Sequence, residues 1–291
     1  MSIGPSQGLR NSLGNAGIVA APGAHDVLSA RIVAKAGFRA LYCGGNAMGI
    51  VNGKGQPFVT LTETTSLVRR LSESIAIPII VDAGAGFGEP QHVHAAVREI
   101  ESAGAAALHI DDQPFPKRAG YHRKRGSVVT ANIMMRRLQA ALNARINADM
   151  MVIARTDVLR TTGSLDEALQ RARSYAEVGA DGVIVLDLGP ADAPLFCKAI
   201  APVPLIWIGG VVAPIPLLSD LEHAGFAMAL YPFNSIAAVT AALSNLWRGF
   251  ASDGRIRQDT ELLSWVGPET MDLVDMATYW RIEDMDFPNA R

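Results

Sequence analysis

The sequence predicts a single (β/α)8 barrel over residues 1–291. Three observations predict it. Short apolar runs alternate with capped, amphipathic segments about eight times, the rhythm of parallel strands and crossover helices. Several of those runs end in acid, arginine or paired glycine, the chemistry that collects at the carboxyl ends of barrel strands. The phrases A-K-A-G-F, E-S-A-G-A, A-E-V-G-A and E-H-A-G-F close helices ahead of strands, a barrel period rather than a solenoid repeat. A doubly wound open sheet fits less well, because no G-x-G-x-x-G turn follows the first strand.

In chain order, residues 1–16 are a polar, Gly-rich lead-in. Ile18 to Pro22 is the first strand, and Ala24 to Gly37 a helix that Asp26 can cap and Gly37 stops. Ala40 to Cys43 is a strand running into Gly44-Gly45-Asn46, either a tight turn or bare amides for a carboxylate. Val51 to Pro57 reads as an irregular loop, and Thr60 to Ser74 as an amphipathic helix. Strands at Ile77 to Val81 and Ala105 to Ile110 flank a helix from Pro90 to Ala103, on which His92 and His94 do not share a face. Thr130 to Arg145 is helical, and Met150 to Ala154 is a strand ending in Arg155-Thr156-Asp157. A helix from Ser164 to Val178, with Glu167 placed for a capping box, leads to the strand Gly182 to Leu186. Pro190 to Ala201 and Pro216 to Ala224 are helices around the strand Val203 to Ile208. Ala227 to Tyr231 is the last strand, followed by a long apolar helix from Phe233 to Phe250 and a tail rich in Met and Trp.

Composition bounds the function. A net charge of -2 gives no global attraction for nucleic acid. No apolar run reaches the roughly 20 residues of a membrane span. The N-terminus lacks the pattern of a signal peptide, and the only cysteines, Cys43 and Cys197, make no disulfide framework. A reducing cytoplasm is the expected setting.

The central stretch runs from Val81 to Gly126. Two strands end there in acid, at Asp82 and at Asp111-Asp112, each followed by a Gly- or Pro-rich loop. The second loop carries Lys117, Arg118, His122, Arg123, Lys124 and Arg125. A metal-binding acid pair beside a basic loop suits a small anionic substrate. Arg155 adds a planar fork for a carboxylate, or else a salt bridge to a strand-end acid.

These phrases, in this order, resemble the isocitrate lyase / phosphoenolpyruvate mutase superfamily, and most closely its 2-methylisocitrate lyase branch. The likeness rests on G-A-H-D-x-L-S-A-R-I at 23–32, T-L-T-E at 60–63, P-I-I-V-D-A-x-x-G-F-G at 78–88, A-G-A-A-A-L-H-I-D-D-Q at 103–113, P-K-R-x-G at 116–120 and V-I-A-R-T-D at 152–157. The resemblance implies a barrel whose eighth helix is exchanged between subunits of a homodimer, often paired into a tetramer. It implies Mg²⁺ and a 2-oxo or 2-hydroxy carboxylate whose bond is made or broken through a metal-held enolate. By position, Asp82 looks like the direct metal ligand, with Asp111 acting through water. Cys43, Gly44, Gly45 and Asn46 look like the substrate-binding turn, Arg155 like the carboxylate's partner, and 115–128 like a gating loop.

Departures from the family pattern shape the expected chemistry. Gly84 stands where the second metal-site acid is usual, and Asp111 where a glutamate is usual. Lys54, Gly55 and Gln56 leave no acid in the loop before T-L-T-E. Ala119 replaces the lyases' acid–base cysteine and Tyr121 their histidine, and Ile208-Gly209-Gly210-Val211 replaces a polar segment. The expected activity is a carbon–carbon lyase on a small 2-oxo or 2-hydroxy (di)carboxylate, by decarboxylation or retro-aldol cleavage. Weak Mg²⁺ binding is expected, with Lys117, Tyr121, His122 and Arg155 the candidate catalytic residues. The alternatives are a phosphonopyruvate-type mutase or hydrolase, and a non-catalytic carboxylate-binding homologue.

Overall fold

The computed structural model describes residues 3–14, 17–123, 126–257 and 268–286, with the side chains of residues 14, 122, 268, 269 and 286 outside the description. The chain divides into two compact units, Met1–Ile236 and Ala237–Arg291.

The first unit opens with α1 (Pro5–Gly14), β1 (Val19–Pro22), α2 (Val27–Lys35), β2 (Leu41–Cys43), α3 (Gly45–Val51) and α4 (Leu61–Ser74). It continues through β3 (Ile79–Asp82), α5 (Pro90–Ser102), β4 (Ala107–Asp111), α6 (Ala131–Ala144), β5 (Met151–Thr156), α7 (Val158–Thr162) and α8 (Leu165–Glu177). It closes with β6 (Gly182–Val185), α9 (Ala193–Ile200), β7 (Leu205–Ile208), α10 (Leu218–His223), β8 (Met228–Tyr231) and the start of α11 (Asn234–Asp253). The expected barrel is there: eight parallel strands in the order β1-β8-β7-β6-β5-β4-β3-β2. The remaining gap, between β1 and β2, is spanned by a bridge from Gly23 to Tyr42 and by the Ala24 amide donating to the Tyr42 carbonyl at 2.9 Å.

Local chemistry explains the elements. Asp26 and Ser29 form the capping box of α2, and Thr60 and Glu63 that of α4. Ser164 caps α8 as its spacing predicts, but the Glu167 carboxylate turns to Arg171 instead of closing a box. Two expectations change. The turn after β2 is the first residue of α3, a helix hidden by its glycines. Five residues after β5 also form a helix, α7, which Gly163 ends at φ 75°.

Side chains alternate along each strand, and the alternation sorts the core into layers. Leu41, Cys43, Ile79, Val81, Leu108 and Val152 pack with the helices. Tyr42, Ile80, Ala107, Met151, Ile153, Ile184, Ile206 and Met228 pack together inside the barrel, with Leu9 of α1 among them. Register then carries the inward series upward: Asp82 lies beside His109, and Asp111 beside Arg155.

In the second unit, Val239, Leu243, Trp247 and Phe250 of α11 are 41–56% exposed. Two further helices, α12 (Pro268–Leu273) and α13 (Met276–Asp286), follow. Among the described residues, no helix is long and apolar enough to cross a membrane.

Candidate active site

Asp82 and Asp111 end β3 and β4, Arg155 lies near the end of β5, and Asp187 follows β6. Asp82 is buried. Its Oδ1 accepts the Gly84 amide at 2.9 Å, and its Oδ2 accepts the Gly45 amide and Gln56 Nε2, both at 3.2 Å. Burial opposes its ionisation, but the His109 ring, Lys117, Arg155 and the Gly84 amide outweigh it and hold the carboxyl below the usual range. The Gly45 amide, expected to hold a substrate carboxylate, is thus engaged by a carboxylate of the protein itself. Gly44 and Asn46 line the main cavity.

Cys43 does not join them. It points into the helix layer, is 0% exposed, and its thiol is pushed up to about 12, first by burial and then by Asp82. The reason is the two-residue period of the strand: Tyr42 and Cys43 cannot both face the barrel interior. Tyr42 does. Its hydroxyl is 2.9 Å from His109 Nε2, and the two rings lie nearly parallel, 4° apart. Burial drives His109 down to about 4, so the ring is neutral at pH 7, 3.8 Å from Asp82.

Asp111 is fully buried and accepts the Lys117 ammonium at 2.5 Å and the Gln113 amide at 3.3 Å. Asp112 points the other way. It accepts the Asp157 amide at 2.9 Å, the Thr156 hydroxyl at 2.7 Å, Arg171 Nη1 at 3.0 Å and the Tyr175 hydroxyl at 3.0 Å. Burial and the nearby Asp157 raise it to about 6. Its partners make Asp112 a structural knot that ties the ends of β4 and β5 to α8.

Arg155 meets its salt-bridge alternative in Asp157, two residues on. Nε donates to Oδ1 at 2.7 Å and Nη2 to Oδ2 at 3.1 Å. Nη1 makes no hydrogen bond among the described residues, and Arg155 lines the cavity. Asp157 also accepts the Tyr121 hydroxyl at 2.7 Å and Gln113 Nε2 at 2.6 Å. Burial works against its charge, but Arg155 and Tyr121 hold Asp157 below the usual range. Tyr121 is 8% exposed; its oxygen also receives Arg155 Nη2 at 3.2 Å and Arg160 Nη1 at 3.3 Å. Burial raises its phenol further, so Tyr121 is neutral at pH 7. Arg160 is tied to Asp187 at 2.7 and 2.5 Å. The side chain of His122 lies outside the described residues, as do Lys124 and Arg125.

Two recesses share Asp82 and Gln56. A small inner one is lined by Gly45, Gly84, Phe115 and Lys117. The main cavity, of about 500 Å³, is lined by Tyr42, Asp82, Tyr121 and Arg155 and by Trp207, Ile208, Val211, Val212, Pro214 and Phe233. Residues that sequence reasoning missed, Tyr42, His109 and Asp157, are inward-facing or strand-end positions whose role depends on which strands become neighbours.

Comparison with known proteins agrees with this architecture. The phosphoenolpyruvate phosphomutase family pattern matches residues 9–250. The 2,3-dimethylmalate lyase of Eubacterium barkeri is 35% identical over 252 residues, 84% of this chain and 86% of that one. The 2-methylisocitrate lyase of Salmonella typhimurium is 30% identical over 285 residues, 96% of this chain and 95% of that one. Among solved structures, a phosphoenolpyruvate phosphomutase from Streptomyces platensis subsp. rosaceus superposes with a TM-score of 0.88 at 28% identity, over 99% of this chain and 100% of that one. A phosphonopyruvate hydrolase solved with oxalate and Mg²⁺ gives a TM-score of 0.85 at 25% identity, over 97% and 98%. Barrel, motif order and extent of match agree: the chain belongs to the phosphoenolpyruvate mutase family, in the superfamily it shares with the isocitrate lyases.

Proposed function

We propose that the protein is a carbon–carbon lyase acting on a small 2-oxo or 2-hydroxy acid through an enolate. The observation that carries this reading is that two recesses share Asp82 and Gln56, one lined by Lys117 and the other by Arg155. Arg155, held by Asp157, offers Nη1 to the substrate carboxylate. In decarboxylation, carbon dioxide leaves and the electron pair of the broken bond becomes the enolate of the 2-oxo acid. In retro-aldol cleavage, the 2-hydroxyl loses its proton to water as it becomes a 2-oxo group, and the electron pair of the broken carbon–carbon bond passes to the enolate of the departing fragment. Either enolate then takes one proton on carbon. Fixed positive charge at the forming oxyanion lowers the barrier. Tyr121, neutral and buried beside Arg155, is the candidate proton donor.

The cavity refines the substrate. Arg155 and Arg160 are the cationic residues that line it, and Arg160 is held by Asp187. The lining also includes the apolar Trp207, Ile208, Val211, Val212 and Phe233. An acid with one carboxylate at Arg155 and an apolar substituent beyond the reacting carbon matches that division.

The Mg²⁺ that the family implies, expected to bind weakly, would face Asp82 and Asp111. Asp82 already accepts three N–H donors of the roughly four acceptor positions a carboxylate has. Among the described residues, no three His, Cys, Asp or Glu side chains converge as metal ligands. This donor set fits a hard dication poorly, and no step above passes through one.

The assembly we propose is a helix-swapped homodimer, or a tetramer made of two such dimers. Its support is the apolar, exposed face of α11.

A panel of 2-oxo and 2-hydroxy acids, with oxaloacetate and phosphonopyruvate among them, tests the function by product NMR. Carbon–carbon cleavage that favours apolar substituents and is lost in Arg155→Gln supports it. Turnover of phosphonopyruvate alone would favour carbon–phosphorus chemistry, and binding with no turnover a carboxylate-binding homologue.

A further inference from the structure

Gly84 stands where the family resemblance places the second metal-site acid, and the space a side chain would take there is filled. A Cβ built on Gly84 would lie 3.1 Å from Lys117 Cε and 3.4 Å from Lys117 Nζ. Lys117 has folded its ammonium into the acidic end of the site. Nζ is 2.5 Å from Asp111 Oδ2, and the Lys117 side chain is 8% exposed. Lys117 and Asp82 line the same inner recess. Gln56, in the loop where another acid is usual, turns its amide nitrogen to Asp82 at 3.2 Å. Lys54, its neighbour in that loop, is paired with Glu63 at 2.6 Å.

These substitutions agree in sign. Losing the carboxylates at position 84 and in the loop of Gln56 removes two negative charges, and leaving out a dication removes two positive ones. The local sum is therefore kept. Asp82 and Asp111 contribute two negative charges and Lys117 one positive charge, while Arg155 is paired with Asp157. A buried carboxylate whose partner were absent would be strongly unfavourable, and in this site Lys117 is the partner.

We propose that Lys117 takes the place of the divalent cation in this protein, so that it binds 2-oxo carboxylates and stabilises their enolates without a metal. The ammonium supplies N–H donors and a full charge to the enolate oxygen where a metal would supply a Lewis acid. It does so from the segment that carries Phe115 and Gly120, so the charge sits on the barrel mouth's own loop. Lys117 and a divalent cation are alternative occupants of one acidic recess, and occupation by one excludes the other by charge and by volume.

The test has two arms. The first uses metal alone: Mg²⁺ by calorimetry and Mn²⁺ by electron paramagnetic resonance, on the full chain, on Lys117→Met and on Lys117→Met/Gly84→Asp. The unaltered protein is expected to show no stoichiometric site at millimolar metal, and removing the competing charge is expected to tighten binding by at least about tenfold. The second arm measures oxalate binding in excess EDTA. It is expected to persist in the unaltered protein and to weaken by about tenfold or more in Lys117→Met, with partial recovery in Lys117→Arg. Tight Mg²⁺ binding with Lys117 in place, or oxalate binding that EDTA abolishes, would overturn the proposal. The second arm rests on the carboxylate-binding reading. If oxalate fails to bind with or without Mg²⁺, that reading falls, and the metal arm still decides the role of Lys117.

Discussion

Arg155 and Tyr121 share one carboxylate, Asp157, and that sharing separates what their substitutions do. Tyr121→Phe removes one proton donor to Asp157 but leaves the Arg155 fork on it. The ring still fills its place beside Gly126, where a Cβ would approach Tyr121 to 2.9 Å. The expected stability loss is about 1.5–3 kcal/mol, the cost of a hydrogen bond to a buried charged group. Oxalate affinity should be unchanged within a factor of about three, since Arg155 stays oriented. If Tyr121 is the donor, turnover falls by about a hundredfold or more. Full turnover in the phenylalanine variant would leave Tyr121 a packing residue. The sequence marks both residues but not their partner. Asp157 reads as a strand-end acid like several others, and only the bend after β5 turns it back onto Arg155.

At the scale of elements, the Asp112 knot and the cap of α4 make distinct predictions. Arg171 reaches from α8 to Asp112 and to the Val129 carbonyl, at 3.0 and 2.8 Å. Arg171→Met would leave a buried carboxylate short of its cation. We expect a loss of about 3–5 kcal/mol in urea unfolding, although Arg171 lies outside the cavity. On α4, the Lys54 ammonium and the Thr60 amide and hydroxyl hold Glu63 down at about 2. A depressed folded-state pKa stabilises above the unfolded value, and that contribution fades as pH falls toward the folded value. The melting-temperature gap between the protein and Glu63→Gln should therefore be flat above about pH 5 and shrink below about pH 4.3. A gap that grows toward acid would contradict the assignment.

For the whole molecule, legibility followed local pattern. The strands are readable because each is a short buried run between turn residues, and the Asp26 cap of α2 because its signature is local, whereas the box expected at Ser164 and Glu167 does not close. α3 is not readable, since Gly45 and Gly49 lower its apparent propensity and only its place above β2 makes it a helix. The identity of the acids was legible but their partners were not. Lys117 meets Gly84 and Asp111 through the folding of a loop, which no spacing encodes. His109 looked like one more strand residue until the barrel stacked it on Tyr42. Assembly is testable at this scale. Exposed Leu243 and Trp247 on α11 predict an oligomer by light scattering at micromolar concentration, and Trp247→Glu is expected to shift it toward monomer. A monomeric unaltered protein would contradict this.

The way the barrel closes has a consequence for its synthesis. β1 has its full ladder only with β8, from Val19 opposite Met228 to Pro22 opposite Tyr231, and only a bridge toward β2. The partners are about 200 residues apart, so at ribosomal speeds β1 waits roughly 10 to 40 s for its mate to be made. Throughout that interval the nascent chain carries an apolar strand with an open edge, the kind that pairs with other chains. The first strand made is the last to be paired, and the cell must shelter it until then.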